Sequence, residues 1–267
     1  MPNQQNDQEV AVAAAQAGAA MVRARFGGAL ARFDKGGGDF ATEADIEAEK
    51  AILDVLTAAR PGDAVLGEET GRTGTDDASR VWLVDPLCGT LNYATGAMTV
   101  AVNVALRTGD RVTAAAVTDP FGEETVWIGP GARTYRNGQI VRPAAVPALV
   151  DVNLDPVAGG PLPTTTARLI GDPGFLARFG PRVLSTTLPL TWVAAGRRAA
   201  YVTEGDLRDS VHFTAPIALC QAAGCVVTGI DGQPLHTGRG GLVAAADEAT
   251  HRALLTIMRG NASAGTD

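Results

Sequence analysis

Asp85-Pro86-Leu87-Cys88-Gly89-Thr90 puts a carboxylate, a thiol and a Gly-Thr pair into one short stretch. Residues 81–84 ahead of it read as a buried strand. The Asp-Pro pair is expected to end that strand, because proline cannot donate to the ladder. Gly89 allows a sharp turn into a helix start. A strand that delivers a thiol to a helix N-terminus sets a nucleophile beside free backbone N–H groups, which would lower the thiol pKa. The same residues also suit a satisfied turn around a buried cysteine. Cys220 and Cys225 flank Gln-Ala-Ala-Gly in an apolar context and read as core residues. Three cysteines without CxxC spacing argue against a disulfide framework or a structural zinc. Two of the three histidines, His236 in a glycine-rich loop and His251 in a polar terminal helix, read as surface residues.

The elements that must position these groups follow from periodicity and punctuation. Residues 8–26 have helical Ala/Val spacing. Lys35-Gly36-Gly37-Gly38-Asp39 reads as a flexible loop. Thr42 is placed to cap a helix over 43–59, which Pro61-Gly62 stops. A strand over 64–66 leads into Gly67-Glu68-Glu69-Thr70. Strands over 98–106 and 112–118 flank a Thr108-Gly109-Asp110 turn, and Asp119-Pro120 closes the second. Strand direction then puts Asp119 at the same sheet edge as Cys88. Asn137-Gly138 suits a hairpin turn. The Pro- and Gly-rich stretch 143–164 divides an N-terminal α+β part, 1–143, from a C-terminal α/β part, 144–267, that carries His212. There the spacing predicts a strand over 167–171 and helices over 188–195 and 214–223.

Composition narrows the classes. The chain has 267 residues, 46% of them hydrophobic, which is ample for a core. The net charge of −7 makes nucleic acid a poor partner. No apolar run reaches the roughly 18 residues of a membrane span, and no signal pattern opens the chain, so a cytoplasmic protein is expected.

Four ordered motifs resemble the inositol monophosphatase superfamily over roughly residues 8–258. They are Lys35…Asp39…Thr42…Asp45; Gly67-Glu68-Glu69; Asp85-Pro86-Leu87-Cys88-Gly89-Thr90-Leu91-Asn92-Tyr93; and the helix from Val211-His212 to Gly224. The resemblance implies a layered α/β/α/β/α sandwich and a magnesium-dependent phosphomonoesterase. It implies that Glu68, Asp85 and the Leu87 carbonyl descend from ligands of one magnesium, and that Thr90 and Asp45 are associated with the attacking water. The second magnesium's two distinctive carboxylates have become Cys88 and His212. Magnesium tolerates thiol and imidazole poorly.

Two former ligands of one ion must face one point, so the exchange sets a thiol beside an imidazole, a pairing for nucleophilic acyl chemistry. The acid that would orient His212 is Asp119 or Asp85. The Gly89 and Thr90 N–H groups could form an oxyanion hole. Within the superfamily the chain looks like the cysteine-dependent Dieckmann cyclases of tetramic acid and pyridone natural-product biosynthesis. The implied substrate is a β-ketoacyl-aminoacyl thioester on a carrier protein. Leu188, Pro189 and Trp192 could shelter an acyl-enzyme. No cofactor is expected on this reading, with Glu68 and Asp85 as vestigial metal ligands. The alternative is a phosphomonoesterase with altered metal ligands, using Mg2+ or a softer ion on Cys88 and His212, or an inactive pseudo-phosphatase. A homodimer is possible. Arg197-Arg198 could offer a carrier a basic patch, but a solvated face suits them as well.

Overall fold

Helix α1 (Asp7–Arg25) begins with a capping box in which Glu9 N–H donates to Asn6 Oδ1 at 2.9 Å and Asn6 N–H donates to Glu9 at 3.0 Å. A Cβ at Gly18 would stand 2.7 Å from Ile52 Cδ1, so the glycine allows α1 to lie close against α2 (Glu43–Ala59). The computed structural model describes residues 5–36, 39–75, 78–156 and 162–263, with only the backbone of Asp39 and of 261–263.

Contacts divide the chain into two units. The first comprises 1–139 together with the short returns 186–188 and 209–219. It contains the β1 (Arg32–Gly36) and β2 (Asp39–Thr42) hairpin, where the sequence suggested a loop; Gly37 and Gly38 lie outside the described residues. Its large sheet is built from β3 (Ala64–Gly67), β4 (Gly71–Thr73), β5 (Arg80–Cys88), β6 (Ala101–Thr108), β7 (Arg111–Asp119), β8 (Glu124–Gly129), β9 (Arg133–Arg136) and β10 (Gln139–Ile140). The strand order is β10-β9-β8-β7-β6-β5-β3-β4. β5 runs parallel to β3 and antiparallel to β6. The short helix α3 (Thr90–Ala94) follows β5. Helices α1 and α2 pack on this sheet around a core that includes Ile52, Trp82, Val102 and Leu106.

Pro86 does not end β5. Asp85 pairs with Asn103 and Cys88 with Ala101, so Pro86 and Leu87 together oppose Val102 alone. This is a β-bulge, where a residue without an N–H costs the ladder nothing. The bulge also matters for aim. Strict alternation would send residues three apart to opposite faces, and one extra residue lets Asp85 and Cys88 serve the same side.

The second unit holds β11 (Leu149–Val152), β12 (Gly180–Val183), β13 (Ala200–Thr203), β14 (Val226–Thr228) and β15 (Leu242–Ala245) in the order β12-β11-β13-β15-β14. Helices α4 (Thr165–Ile170), α5 (Pro173–Arg178) and α8 (Glu248–Ser263) contribute Leu169, Phe175 and Leu254 to its core. Helices α6 (Leu188–Ala194) and α7 (Thr214–Ala223) each run from residues of the first unit into residues of the second. The structure corrects several expectations here. Residues 167–171 lie mostly in the helix α4 rather than a strand; so short an apolar run does not fix its own period. β11 lies within the stretch that read as a boundary, because buried Asp151 interrupts its apolar run. Arg198 Nε lies 2.6 Å from that carboxylate, and the guanidinium stacks over Trp192 at 4.5 Å, so Arg198 is not a solvated residue. His251 is buried, with Nε2 2.8 Å from Thr228 Oγ1, rather than on the surface. His212 belongs with the first unit, although a cut at 143 assigns it to the C-terminal part. Among the described residues no helix is long and apolar enough to cross a membrane.

Candidate active site

The bulge at the end of β5 and the residues leading into α7 meet at Asp85, Cys88 and His212. Asp85 is fully buried, and its Oδ2 lies 2.7 Å from His212 Nδ1. Asn103, its register partner on β6, donates from Nδ2 to the same Oδ2 at 3.3 Å. Asp85 Oδ1 accepts the Leu87 N–H at 3.1 Å, which steadies the bulge. Cys88 is 8% exposed. Its Sγ accepts from the Thr187 hydroxyl at 3.1 Å and from the Thr187 N–H at 3.3 Å. Asn103 Nδ2 donates to Thr187 Oγ1 at 3.0 Å, so one amide ties the acid to the residue that holds the thiol. One ligating atom each from Asp85, Cys88 and His212 lie within 4.8 Å of one another.

Glu68 follows β3, and its N–H bonds the Val84 carbonyl of β5 at 3.1 Å. Its Oε1 accepts from Lys35 Nζ at 3.0 Å, and its buried Oε2, 3.9 Å from His212 Nδ1, accepts no hydrogen bond among the described residues. The turn carrying it is pinned by buried Glu49, which accepts the N–H groups of Glu69 and Thr70 at 2.9 and 2.8 Å. Asp45, the capping-box acid of α2, also accepts from Thr90 Oγ1 at 2.8 Å.

The electrostatics follow from this crowding. Burial disfavours a charged His212, but the adjoining Asp85 carboxylate, with Cys88 and Glu68, outweighs it and holds the imidazole well above its ordinary range. Burial likewise pushes Asp85 up, but His212 wins and keeps the carboxyl low. Glu68 is pushed up to about 8, by burial first and by Asp85 second. Burial and Asp85 raise the Cys88 thiol, against the pull of His212 and Thr187. That corrects the expectation of a thiol acidified by a helix N-terminus. α3 spans only Thr90–Ala94, too short for a substantial dipole to offset the desolvation.

Of the two acids considered for His212, Asp85 is the one at hydrogen-bond distance. Asp119 Oδ1 accepts the Phe121 and Gly122 N–H groups at 3.0 and 2.8 Å and closes the turn after β7. Gly89 takes the left-handed conformation, φ 104°, that leads into α3. Thr187 and Asn103 escaped the sequence reading. The available signals were a lone amide inside the apolar β6 and a Ser-Thr-Thr run ahead of α6.

Two sheets with this strand order, and a carboxylate cluster where β3 and β5 end, define an inositol monophosphatase-type α/β fold. The chain belongs to the inositol monophosphatase family, whose profile matches residues 3–262. The inositol-1-monophosphatase of Caulobacter vibrioides is 33% identical over 238 residues, covering 84% of this chain and 89% of that protein. The Nus factor SuhB of Escherichia coli is 30% identical over 228 residues, covering 84% of each. The crystal structure of the extragenic suppressor protein SuhB from Bartonella henselae superposes with a TM-score of 0.83 at 24% identity, covering 94% of this chain and 97% of that one. These names accord better with the phosphatase alternative than with the cyclase reading.

The expectation of no cofactor is overturned. The family resemblance implies magnesium, and Asp85, Cys88 and His212 form a group able to hold a metal ion. The kind of ion is a separate matter. Magnesium takes hard oxygen donors in near-octahedral array. Here Asp85 Oδ2 is engaged by His212 and Asn103, Oδ1 by Leu87, and Glu68 Oε1 by Lys35. Even with an Asp85 oxygen and Glu68 Oε2 counted, the other two donors are a sulfur and a nitrogen, so the set does not fit magnesium.

Proposed function

We propose that this member of the family uses Cys88 as a nucleophile in acyl transfer, as a Dieckmann cyclase closing a tetramic acid or pyridone ring. The supporting observation is the 2.7 Å contact between Asp85 and His212 Nδ1, with Cys88 Sγ within 4.8 Å of a ring nitrogen of the same imidazole. An acid that fixes one ring nitrogen leaves the other for proton traffic with a nucleophile. The substrate would be a β-ketoacyl-aminoacyl thioester on a carrier protein. Once His212 has lost its resting proton, the imidazole takes the Cys88 proton and Sγ attacks the thioester carbonyl; the carrier sulfur leaves and takes that proton from His212. His212 then removes a proton from the carbon between two carbonyls. That carbon attacks the acyl-enzyme carbonyl, the C–S bond breaks, and Cys88 regains the proton. The Gly89 and Thr90 N–H groups are the proposed oxyanion donors, each typically worth about 3–4 kcal/mol.

A second reading is a phosphomonoesterase with altered metal ligands. The names of the relatives favour it, as do the retained Glu68 and Asp85 and the bond from Thr90 to Asp45. Two assays separate the readings. With a carrier-bound or short thioester substrate, Cys88→Ala abolishes ring closure while circular dichroism stays native, and wild-type protein shows a covalent acyl adduct by intact mass. With a small phosphomonoester and added divalent ions, phosphate release that persists after alkylation of Cys88 supports the phosphatase and sinks the cyclase.

A further inference from the structure

We infer that Asp85, Cys88 and His212 form a site for a borderline-soft divalent cation of the zinc class, and that an ion held there removes Cys88 as a nucleophile. The first half stands on the donor set alone. The second rests on the acyl-transfer function proposed above.

Three observations carry it. A thiol, an imidazole and a carboxylate each present a ligating atom within 4.8 Å of the others. Zinc bonds sulfur at about 2.3 Å and nitrogen or oxygen at about 2.0–2.2 Å, so its tetrahedral donors stand roughly 3–4 Å apart. The widest spacing therefore has to close by roughly 1–2 Å on an ion, and the 2.7 Å contact between Asp85 and His212 Nδ1 has to open if both ligate through those atoms. Next, the donor types rank zinc far above magnesium, because thiolate and imidazole are softer than the oxygens magnesium requires. Lastly, buried Glu68 Oε2 accepts no hydrogen bond among the described residues and lies 3.9 Å from His212 Nδ1, so the carboxyl, on losing its proton to the incoming ion, can supply a fourth, oxygen donor. Asp85 can serve in either of two ways. It can lend an oxygen to the ion, or it can keep its 2.7 Å contact to Nδ1 and orient a ring that binds through Nε2.

Binding exchanges the Cys88 proton for the ion. The sulfur lone pair that would attack a carbonyl is then the pair bound to the metal, so occupancy and nucleophilicity exclude one another. At the residues where the family resemblance implies magnesium, Cys88 and His212 thus offer different chemistry and select a different ion.

The test uses the full chain, stripped with a chelator and titrated with zinc, with cobalt as a spectroscopic substitute. Three readouts are followed: metal retained after desalting, the cobalt–thiolate charge-transfer absorption, and the rate of Cys88 carbamidomethylation by peptide mass spectrometry. The wild type is expected to retain one equivalent and to show the absorption. At free zinc about 100 times the dissociation constant, alkylation of Cys88 should slow by about 100-fold. Cys88→Ser and His212→Asn, checked for native circular dichroism, should lose the absorption and the retained equivalent. Magnesium should neither protect Cys88 nor displace zinc. No retained zinc, retention in both variants, no protection, or displacement by magnesium would each overturn the inference. Zinc bound and protective while Cys88→Ala still closes rings sinks the acyl reading and leaves the metal site standing. Loss of ring closure in Cys88→Ala without any zinc binding does the reverse.

Discussion

At Cys88 the thiol is held protonated by burial and by Asp85, while the same carboxylate keeps His212 charged. The resting pair therefore carries one proton more than a thiol with a neutral base beside it. Alkylation of Cys88, and any turnover that depends on it, should rise with pH from neutral into the alkaline range, as measured by iodoacetamide rates across pH 6–10. Thr187→Val, which removes the hydroxyl donor at 3.1 Å, should move that rise to higher pH, and Thr187→Ser should restore it. Glu68 gives a second proton-linked outcome. Its carboxyl is raised from 4.5 to about 8, so the folded state binds the extra proton between those values. Stability then falls as pH climbs through that window. Glu68→Gln should resist this loss, melting higher than wild type near pH 9 and losing the advantage near pH 4 in thermal scans.

At the scale of elements, the site depends on two irregular strand ends. The bulge between Asp85 and Cys88 brings acid and thiol to one side of β5. The turn after β3 presents Glu68, and Glu49 of α2 holds that turn by its backbone. Gly67 leaves room for this carboxylate, since a Cβ there would stand 2.5 Å from Glu49 Oε1. Gly67→Ala should therefore destabilise the fold by about 1–3 kcal/mol through overpacking, measured by urea denaturation. The start of α2 was legible because its cap is local: Thr42 and Asp45 are three residues apart. The bulge was not legible, because Pro86 looks like a terminator until its cross-strand partners are known.

For the molecule as a whole, the charge of −7 and an isoelectric point near 5.0 set its colloidal behaviour. Light scattering should show association greatest near pH 5 and least above pH 7, where net charge keeps chains apart. Each unit has its own apolar core, one around Trp82 and Ile52 and one around Phe175 and Leu254. The chain order conceals which unit owns the site. Residues 186–188 and 209–219 return to the first unit from within the second, and they bring Thr187 and His212 with them.

By itself the sequence determined the family fold, because its motifs stand in order along the chain and each rests on local punctuation. It also supplied a thiol and an imidazole, Cys88 and His212, at positions where the family resemblance implies carboxylates, since residue identity needs no coordinates. Only tertiary structure decided that Asp85 rather than Asp119 adjoins His212, because side-chain reach across a sheet depends on a bulge and a register. Only tertiary structure supplied Thr187 and Asn103, which meet Cys88 and Asp85 from distant parts of the chain. It also reversed the expected shift of the thiol: the charges and the burial around Cys88 come from residues that are neighbours in space alone.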